Sequence, residues 1–388
     1  MKIDSIRTYV LKAPTESSFY SSQGLFSGRK SLLVEITTDE GIVGWGEGGQ
    51  YGPAEPVRAC IDAVLAPALI GKNPLTPSVH WDKLYATNRD FGTKGPYLEA
   101  LSALDIAMWD ITGKFYGARV ADLLGGARRE SVAAYGTGFY YPGDAPERID
   151  PGQIQAECAT KIDTGFTMLK AKIGLLPIEA DRRRLQIIRD SVGGDVDMLV
   201  DCNHAYTFNA ARRMGEVLED LAVLWFEEPV VPEDRAGYRK LREVCRVAVA
   251  GGEAEYGRFG FAGLILEGCV DIAQPDLCVS GGISEWAKIE AVASVSGVTV
   301  IPHIWGSGVA LAAALQVLCA TPPSVYTARA IPLLNEPVME FDTTENPLRS
   351  ELIAAPFALE DGRVALPSGP GLGIEVDREA IERYRDDR

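Results

Sequence analysis

The sequence predicts an α/β protein: a (β/α)8 TIM-like barrel covered by an α+β capping domain built from the N-terminal segment and the C-terminal tail. Three observations predict it. Five short apolar runs in the middle of the chain each end in a residue able to hold a metal or move a proton. Strand-like segments come first and helical segments follow, before an alternating rhythm begins near residue 131. The tail returns to strand and Gly/Pro turn patterns. These place the cap at 1–128, completed by 352–388, and the barrel at 129–351.

Residues 1–55 read as a small meander, in which Ser31–Ile36 and Ile42–Glu47 flank the hairpin turn Thr38-Asp39-Glu40-Gly41. Thr15 to Lys30 reads as a polar loop. Stretches 54–70, 78–88 and 96–116 have helical spacing, the last with Leu98, Leu101, Leu104, Met108 and Ile111 around Asp105 and Asp110. From Ser131-Val132-Ala133-Ala134-Tyr135 to about residue 350 strand and helix patterns alternate, a span close to the ~250 residues of a (β/α)8 barrel. The tail, with Arg363-Val364-Ala365-Leu366 as a strand, is expected to return to the first domain. Its Gly369-Pro370-Gly371-Leu372-Gly373 is a turn, because a dinucleotide fingerprint needs a βαβ unit that does not follow.

The apolar runs end at Lys170 and Lys172, Asp201, Glu227, Glu253 and His303, with Asp276 closing a further segment. The steps from Lys172 are 29, 26, 26, 23 and 27 residues. Each accommodates a strand, a helix and two loops. Side chains at the C-terminal ends of parallel barrel strands converge on one mouth, so this period gathers scattered charges into one site. An enzyme follows.

Bulk composition narrows the partners. A charge of −16 opposes nucleic acid and anionic membranes, which require basic patches. The 46% hydrophobic content fills ordinary cores, and the longest apolar run, Gly308 to Ala320, is too short for a bilayer and reads as a buried helix. Seven dispersed cysteines without a CxxC pair indicate neither a disulfide framework nor a zinc site, and a cytoplasmic location is expected.

Three in-phase carboxylates, Asp201, Glu227 and Glu253, form a hard oxygen set that suits Mg2+. Glu228 is expected to point away, since neighbours on a strand alternate. Lys170 and Lys172 share a face, where repulsion, desolvation and a nearby metal are expected to lower their pKa values and make a base. Asp276 is placed to orient His303, and the lysines and the histidine would flank a substrate from opposite sides.

With these motifs, and with Ser102-Ala103-Leu104-Asp105-Ile106-Ala107-Met108-Trp109-Asp110 and Met339-Glu340-Phe341-Asp342, the chain resembles the enolase superfamily, mandelate racemase subgroup, over nearly its whole length. The resemblance implies Mg2+ on Asp201, Glu227 and Glu253, acid/base roles for Lys172 and His303, and Glu340 bonded to an enolate oxygen. It implies that Lys170 supports Lys172 and stabilises the substrate carboxylate, and that the chain forms homo-oligomers, octamers among them.

Within the subgroup, Asp201-Cys202-Asn203-His204-Ala205-Tyr206, Pro302-His303-Ile304-Trp305-Gly306 and Glu340-Phe341-Asp342 are most similar to the galactarolactone cycloisomerases. That likeness implies ring opening of an aldarolactone to a 3-deoxy-2-keto aldarate. The alternatives are an acid-sugar dehydratase, then an anhydro-sugar-acid cycloisomerase or a racemase. A binder without turnover would need the metal and not two acid/base groups. Substrate contacts are expected from Asn203, His204, Tyr51 in Gly48-Gly49-Gln50-Tyr51, Trp305 and Arg29, the last as a partner for a distal carboxylate.

Overall fold

A cap sheet and a barrel-type run of parallel strands divide the chain. The computed structural model describes residues 1–49 and 51–386; Gln50, in the cap segment singled out above, lies outside them. The cap holds β1 (Ile3–Ser21), β2 (Gly24–Thr38) and β3 (Val43–Gly48), paired antiparallel. The segment read as a polar loop, Thr15 to Lys30, instead forms the arms of the β1–β2 hairpin, with Phe19 opposite Phe26 and Tyr20 opposite Leu25. Cross-strand aromatic and apolar pairs outweigh the polarity of their neighbours.

Helix Pro96–Tyr116 starts with proline in its first turn and ends at left-handed Gly117. It buries Leu98, Leu101, Leu104, Met108 and Ile111. Strand β3 crosses it so closely that a Cβ on Gly46 would lie 1.9 Å from the Ala103 carbonyl oxygen. Only glycine permits that approach.

Beyond the cap come β4 (Ser131–Gly138), β5 (Tyr141–Pro142), β6 (Met168–Lys172), β7 (Asp197–Asp201), β8 (Val223–Glu227), β9 (Ala248–Gly251), β10 (Ile272–Ala273), β11 (Thr299–Val300) and β12 (Met339–Asp342). Except for β5, which pairs with β1, these run parallel in the order β12-β4-β6-β7-β8-β9-β10-β11, with helices between successive strands. This is a barrel-type arrangement of eight strands.

Alternation along each strand separates two cores. Tyr135, Met168, Leu199, Trp225, Ala250 and Ile301 pack together inside, while Leu169, Met198, Val200, Phe226 and Val249 join the larger core under the helices. On the inner face, Lys170 and Lys172 follow Met168, Asp201 follows Leu199 and Glu227 follows Trp225. The inner core thus forms the floor of the mouth.

The tail divides between both parts. The hairpin β13 (Leu359–Glu360) and β14 (Arg363–Ala365) adds to barrel strand β4 through Val364 opposite Val132. Further on, Leu372 N donates to Asp110 at 2.9 Å, and Arg378 pairs with Glu35 of the cap at 2.8 Å. The return to the first domain expected from sequence therefore applies to the residues after the hairpin. The hairpin finds an unpaired edge at the start of β4.

Buried carboxylates join cap and barrel. Glu47 accepts from Ser307 N at 2.9 Å, Ser307 Oγ at 2.5 Å and Ala310 N at 2.9 Å, at the start of the wholly buried run of helix Gly308–Ala320. Asp105 accepts from Ser284 N at 2.8 Å, at the start of helix Ile283–Ser296. Both satisfy backbone donors that a helix N-terminus leaves open. Among the described residues no helix is long and apolar enough to cross a membrane, and all seven cysteines are free.

Candidate active site

Strand register sets the first part of the mouth. Lys172 pairs with Asp201 and Asp201 with Glu227 across β6, β7 and β8. Glu253 follows β9 by two residues. Ligand atoms of Asp201, Glu227 and Glu253 all lie within 4.8 Å of one another, and all three side chains are buried. A second set, His204, Glu228 and Glu253, shares the last of these carboxylates. The first set is all oxygen, as Mg2+ prefers, whereas an imidazole nitrogen suits transition metals better.

Glu228 departs from the expected alternation. It lies just past β8 with φ +45°, fully buried, and its carboxylate is 3.2 Å from His204 Nε2. Asn203 and His204 are also left-handed, with φ +43° and +62°. The left-handed residue ends the strand, so period-two logic no longer applies there. Three such conformations at one mouth mark a place where tertiary contacts hold the backbone in unfavourable geometry.

Lys170 Nζ lies 2.8 Å from both Glu227 Oε1 and Glu340 Oε1. Lys172 Nζ bonds Asp201 Oδ2 and is 3.2 Å from Asn203 Oδ1. Burial alone would depress the Lys170 ammonium, but Glu227 and Glu340 outweigh it and hold the pKa well above the ordinary value. For Lys172 burial likewise acts downward and Asp201 carries it up. The expected lowering is thus reversed, because opposite charges at contact exceed the repulsion between the lysines.

Glu340 also accepts from Thr137 Oγ1 at 2.6 Å and Ile304 N at 3.1 Å. Burial would raise its carboxyl, yet Lys170, His303 and Lys172 pull it far below the usual range. Glu227 behaves oppositely. Burial, opposed by Lys170 and reinforced by Asp201 and Glu340, pushes it up to about 7.

The opposite flank is built from loops. His303, beyond β11, places Nδ1 2.8 Å from Asp276 Oδ2, and Asp276 Oδ1 accepts from Cys278 N at 2.7 Å. Nε2 lies 3.4 Å from Glu253 Oε2 and 2.9 Å from Tyr51 Oη of the cap. Burial would lower the imidazole pKa; Glu253, the Asp276 bond and Glu340 raise it to about 9. Burial and the neighbouring carboxylates hold the Tyr51 phenol protonated.

One cavity of about 310 Å³ brings Tyr51, Lys172, Asn203, His204, Glu253, His303 and Trp305 to a common wall. It is sized for a single small ligand. Arg29 lies behind this wall, 3% exposed, with its guanidinium 4.3 Å from the Trp305 ring centroid and 2.9 Å from Asp342. It braces Trp305 where a distal carboxylate contact was expected. A larger cleft, about 850 Å³ between residues 15–19 and helix Pro151–Asp163, contains none of the metal-ligand or acid/base candidates.

Sequence reasoning missed Glu228, Tyr140 and Gln23. Tyr140 closes the cavity beside Lys172, and the Gln23 side-chain amide bonds the Asn203 carbonyl oxygen from the cap. No period marks them. For Glu228 the Glu-Glu-Pro run was visible, but its turn was not.

Known proteins resemble this chain from end to end. Residues 5–125 match the mandelate racemase/muconate lactonizing enzyme N-terminal domain, and residues 153–380 match the enolase C-terminal domain-like family. The chain is 43% identical over 385 residues to a D-galactarolactone cycloisomerase of Agrobacterium fabrum, with 99% of each chain covered. It is 35% identical over 387 residues to an arabinonate dehydratase of Saccharolobus solfataricus, again with 99% of each covered. The crystal structure of the 3,6-anhydro-D-galactonate cycloisomerase of Zobellia galactanivorans superposes with a TM-score of 0.87 at 36% identity, covering 100% of both chains.

Proposed function

The chain belongs to the mandelate racemase/muconate lactonizing enzyme family of the enolase superfamily, and from this premise we propose that it opens an aldarolactone ring by β-elimination. It is an enzyme of that superfamily. The observation that carries the reading is one cavity bounded together by Lys172, by His303 on Asp276, and by Glu253 of the carboxylate set.

Asp201, Glu227 and Glu253 would hold Mg2+, and their buried oxygen atoms fit it. Bound there, the ion supplies Lewis-acid neutralisation of the charge that develops on the substrate carboxylate, and it engages carboxylate charge that otherwise keeps Lys172 protonated. Lys172 takes the proton α to the carboxylate. The electron pair forms the enolate double bond, and the ring carboxylate leaves the β carbon. Lys170 keeps a fixed positive charge beside Glu227 and Glu340, where it stabilises negative charge on the substrate. His303 lies on the other flank with a proton to give, oriented by Asp276. The enol then becomes the 3-deoxy-2-keto aldarate by taking a proton at the β carbon.

A second reading is supported by that same proton. Hydroxide is a poor leaving group and needs a general acid, which a His303 raised to about 9 can be, so dehydration of a linear sugar acid uses the same residues. Proton NMR in D2O with Mg2+, offering aldarolactones and then linear sugar acids, decides between them. Consumption of a lactone with deuterium at a new methylene is expected. Turnover of linear acids only would replace ring opening with dehydration.

A further inference from the structure

Asp276 occupies Nδ1 of His303, so Nε2 is the nitrogen left to exchange a proton with the cavity. Tyr51 stands at that outlet. Its hydroxyl is nearest Nε2, at 2.9 Å, and lies 3.3 Å from Nδ1 and 3.3 Å from Glu253 Oε1. His303 is 4% exposed and Tyr51 38% exposed, and both line the cavity. The tyrosine is placed by a cap turn whose glycines, Gly49 and Gly52, have φ +64° and +65°. A side chain at either position would strain that turn. On the Lys172 flank the ammonium is bonded to the Asp201 and Asn203 side chains of the barrel, and the cap reaches the Asn203 backbone through Ser22 and Gln23.

We propose that Tyr51 is the terminal proton carrier of an Asp276–His303–Tyr51 chain and delivers the proton that converts the enol into the keto product. The inference rests on the β-elimination proposed above. In this step the enol O–H bond breaks and its electron pair forms the C=O bond. The C=C pair takes the proton of the Tyr51 hydroxyl at the β carbon, and the phenol oxygen takes a proton from Nε2–H of His303. The enol's own proton goes to water. His303 ends neutral and Tyr51 is regenerated. A hydroxyl that both accepts and donates can pass a proton without changing its net state, which phenylalanine cannot do. The transfer comes from one side of the enol, so the new methylene carries solvent hydrogen at one of its two positions.

The test is the stereochemistry of deuterium in the product. Wild type with Mg2+ in D2O is expected to label one diastereotopic methylene position. Tyr51→Phe is expected to release enol that ketonises in water and labels both positions, with kcat down on the order of 10²-fold and KM within about threefold. His303→Asn is expected to reproduce the mixed labelling. Tyr51→Leu, with a thermal midpoint measured beside the wild type, repeats the test if the phenylalanine variant is poorly folded. Single-position labelling by a folded Tyr51 variant with near-normal kcat overturns the proton-carrier role alone, as does mixed labelling by the wild type. No labelled methylene from any lactone or linear acid overturns the β-elimination and this inference with it.

Discussion

The two flanks of the cavity are made by different means. On the lysine side the central contacts follow strand register, with Lys172 opposite Asp201 and Asp201 opposite Glu227. On the histidine side β10 and β11 are two residues long, and His303 and Asp276 lie beyond them in loops. Their geometry is completed by Tyr51 of the cap and by Glu253. The first flank is a ladder whose side chains are aimed by the pleat; the second is an assembly of four chain segments separate in sequence. Within one site, precision can come from backbone register or from side-chain bonds, and the two should fail differently.

Removing Mg2+ with EDTA tests both flanks together. Complete loss of turnover, restored by Mg2+, is expected, and calorimetry should find Mg2+ binding lost in Glu253→Gln. Unchanged turnover in EDTA would break the shared site. Lys172→Met breaks the ladder flank alone. A fall in kcat on the order of 10³ is expected, with no α-proton exchange by NMR, because among the described residues Lys172 is the lysine that lines the cavity, while Lys170 is held between Glu227 and Glu340. Asp276→Asn loosens the loop flank. A smaller loss, about 10- to 100-fold, is expected in kcat, since the imidazole remains and only its orienting carboxylate changes.

The smallest effect concerns the joint that brings the cap over the barrel. Burial raises the Asp105 carboxyl from 3.8 to about 7 against the Ser284 bonds, so between these values the folded chain holds a proton that the unfolded chain has released. Stability therefore falls as pH rises through that window and levels off above it. Asp105→Asn keeps an acceptor for Ser284 N and cannot ionise. Its advantage over wild type in urea unfolding should grow from pH 5 to pH 8, by on the order of 2–4 kcal/mol. Parallel pH curves would show that Asp105 does not couple the joint to pH.

The ladder flank was the more fully legible one, although the pairing of Asp276 with His303 was also expected from spacing. Lys170, Lys172, Asp201 and Glu227 could be aligned because strand alternation and the βα repeat are local and periodic, and both appear in spacing. Helix Pro96–Tyr116 was legible for the same reason, through its spaced leucines. Legibility stopped where period stops. The β1–β2 hairpin was concealed by serines and threonines that fit an exposed strand as well as a loop.

By itself, the sequence determined that eight βα-type units carry three carboxylates, two lysines and one histidine to one mouth, because each repeat returns the chain to the same end of a parallel sheet. Only the tertiary structure decided that Glu228 turns inward toward His204, that Arg29 braces Trp305, that Tyr51 meets His303, and that Lys170 and Lys172 are held charged. These depend on left-handed turns and on contacts between segments tens to hundreds of residues apart. Their energies are set by distance and burial in space, which no spacing along the chain encodes.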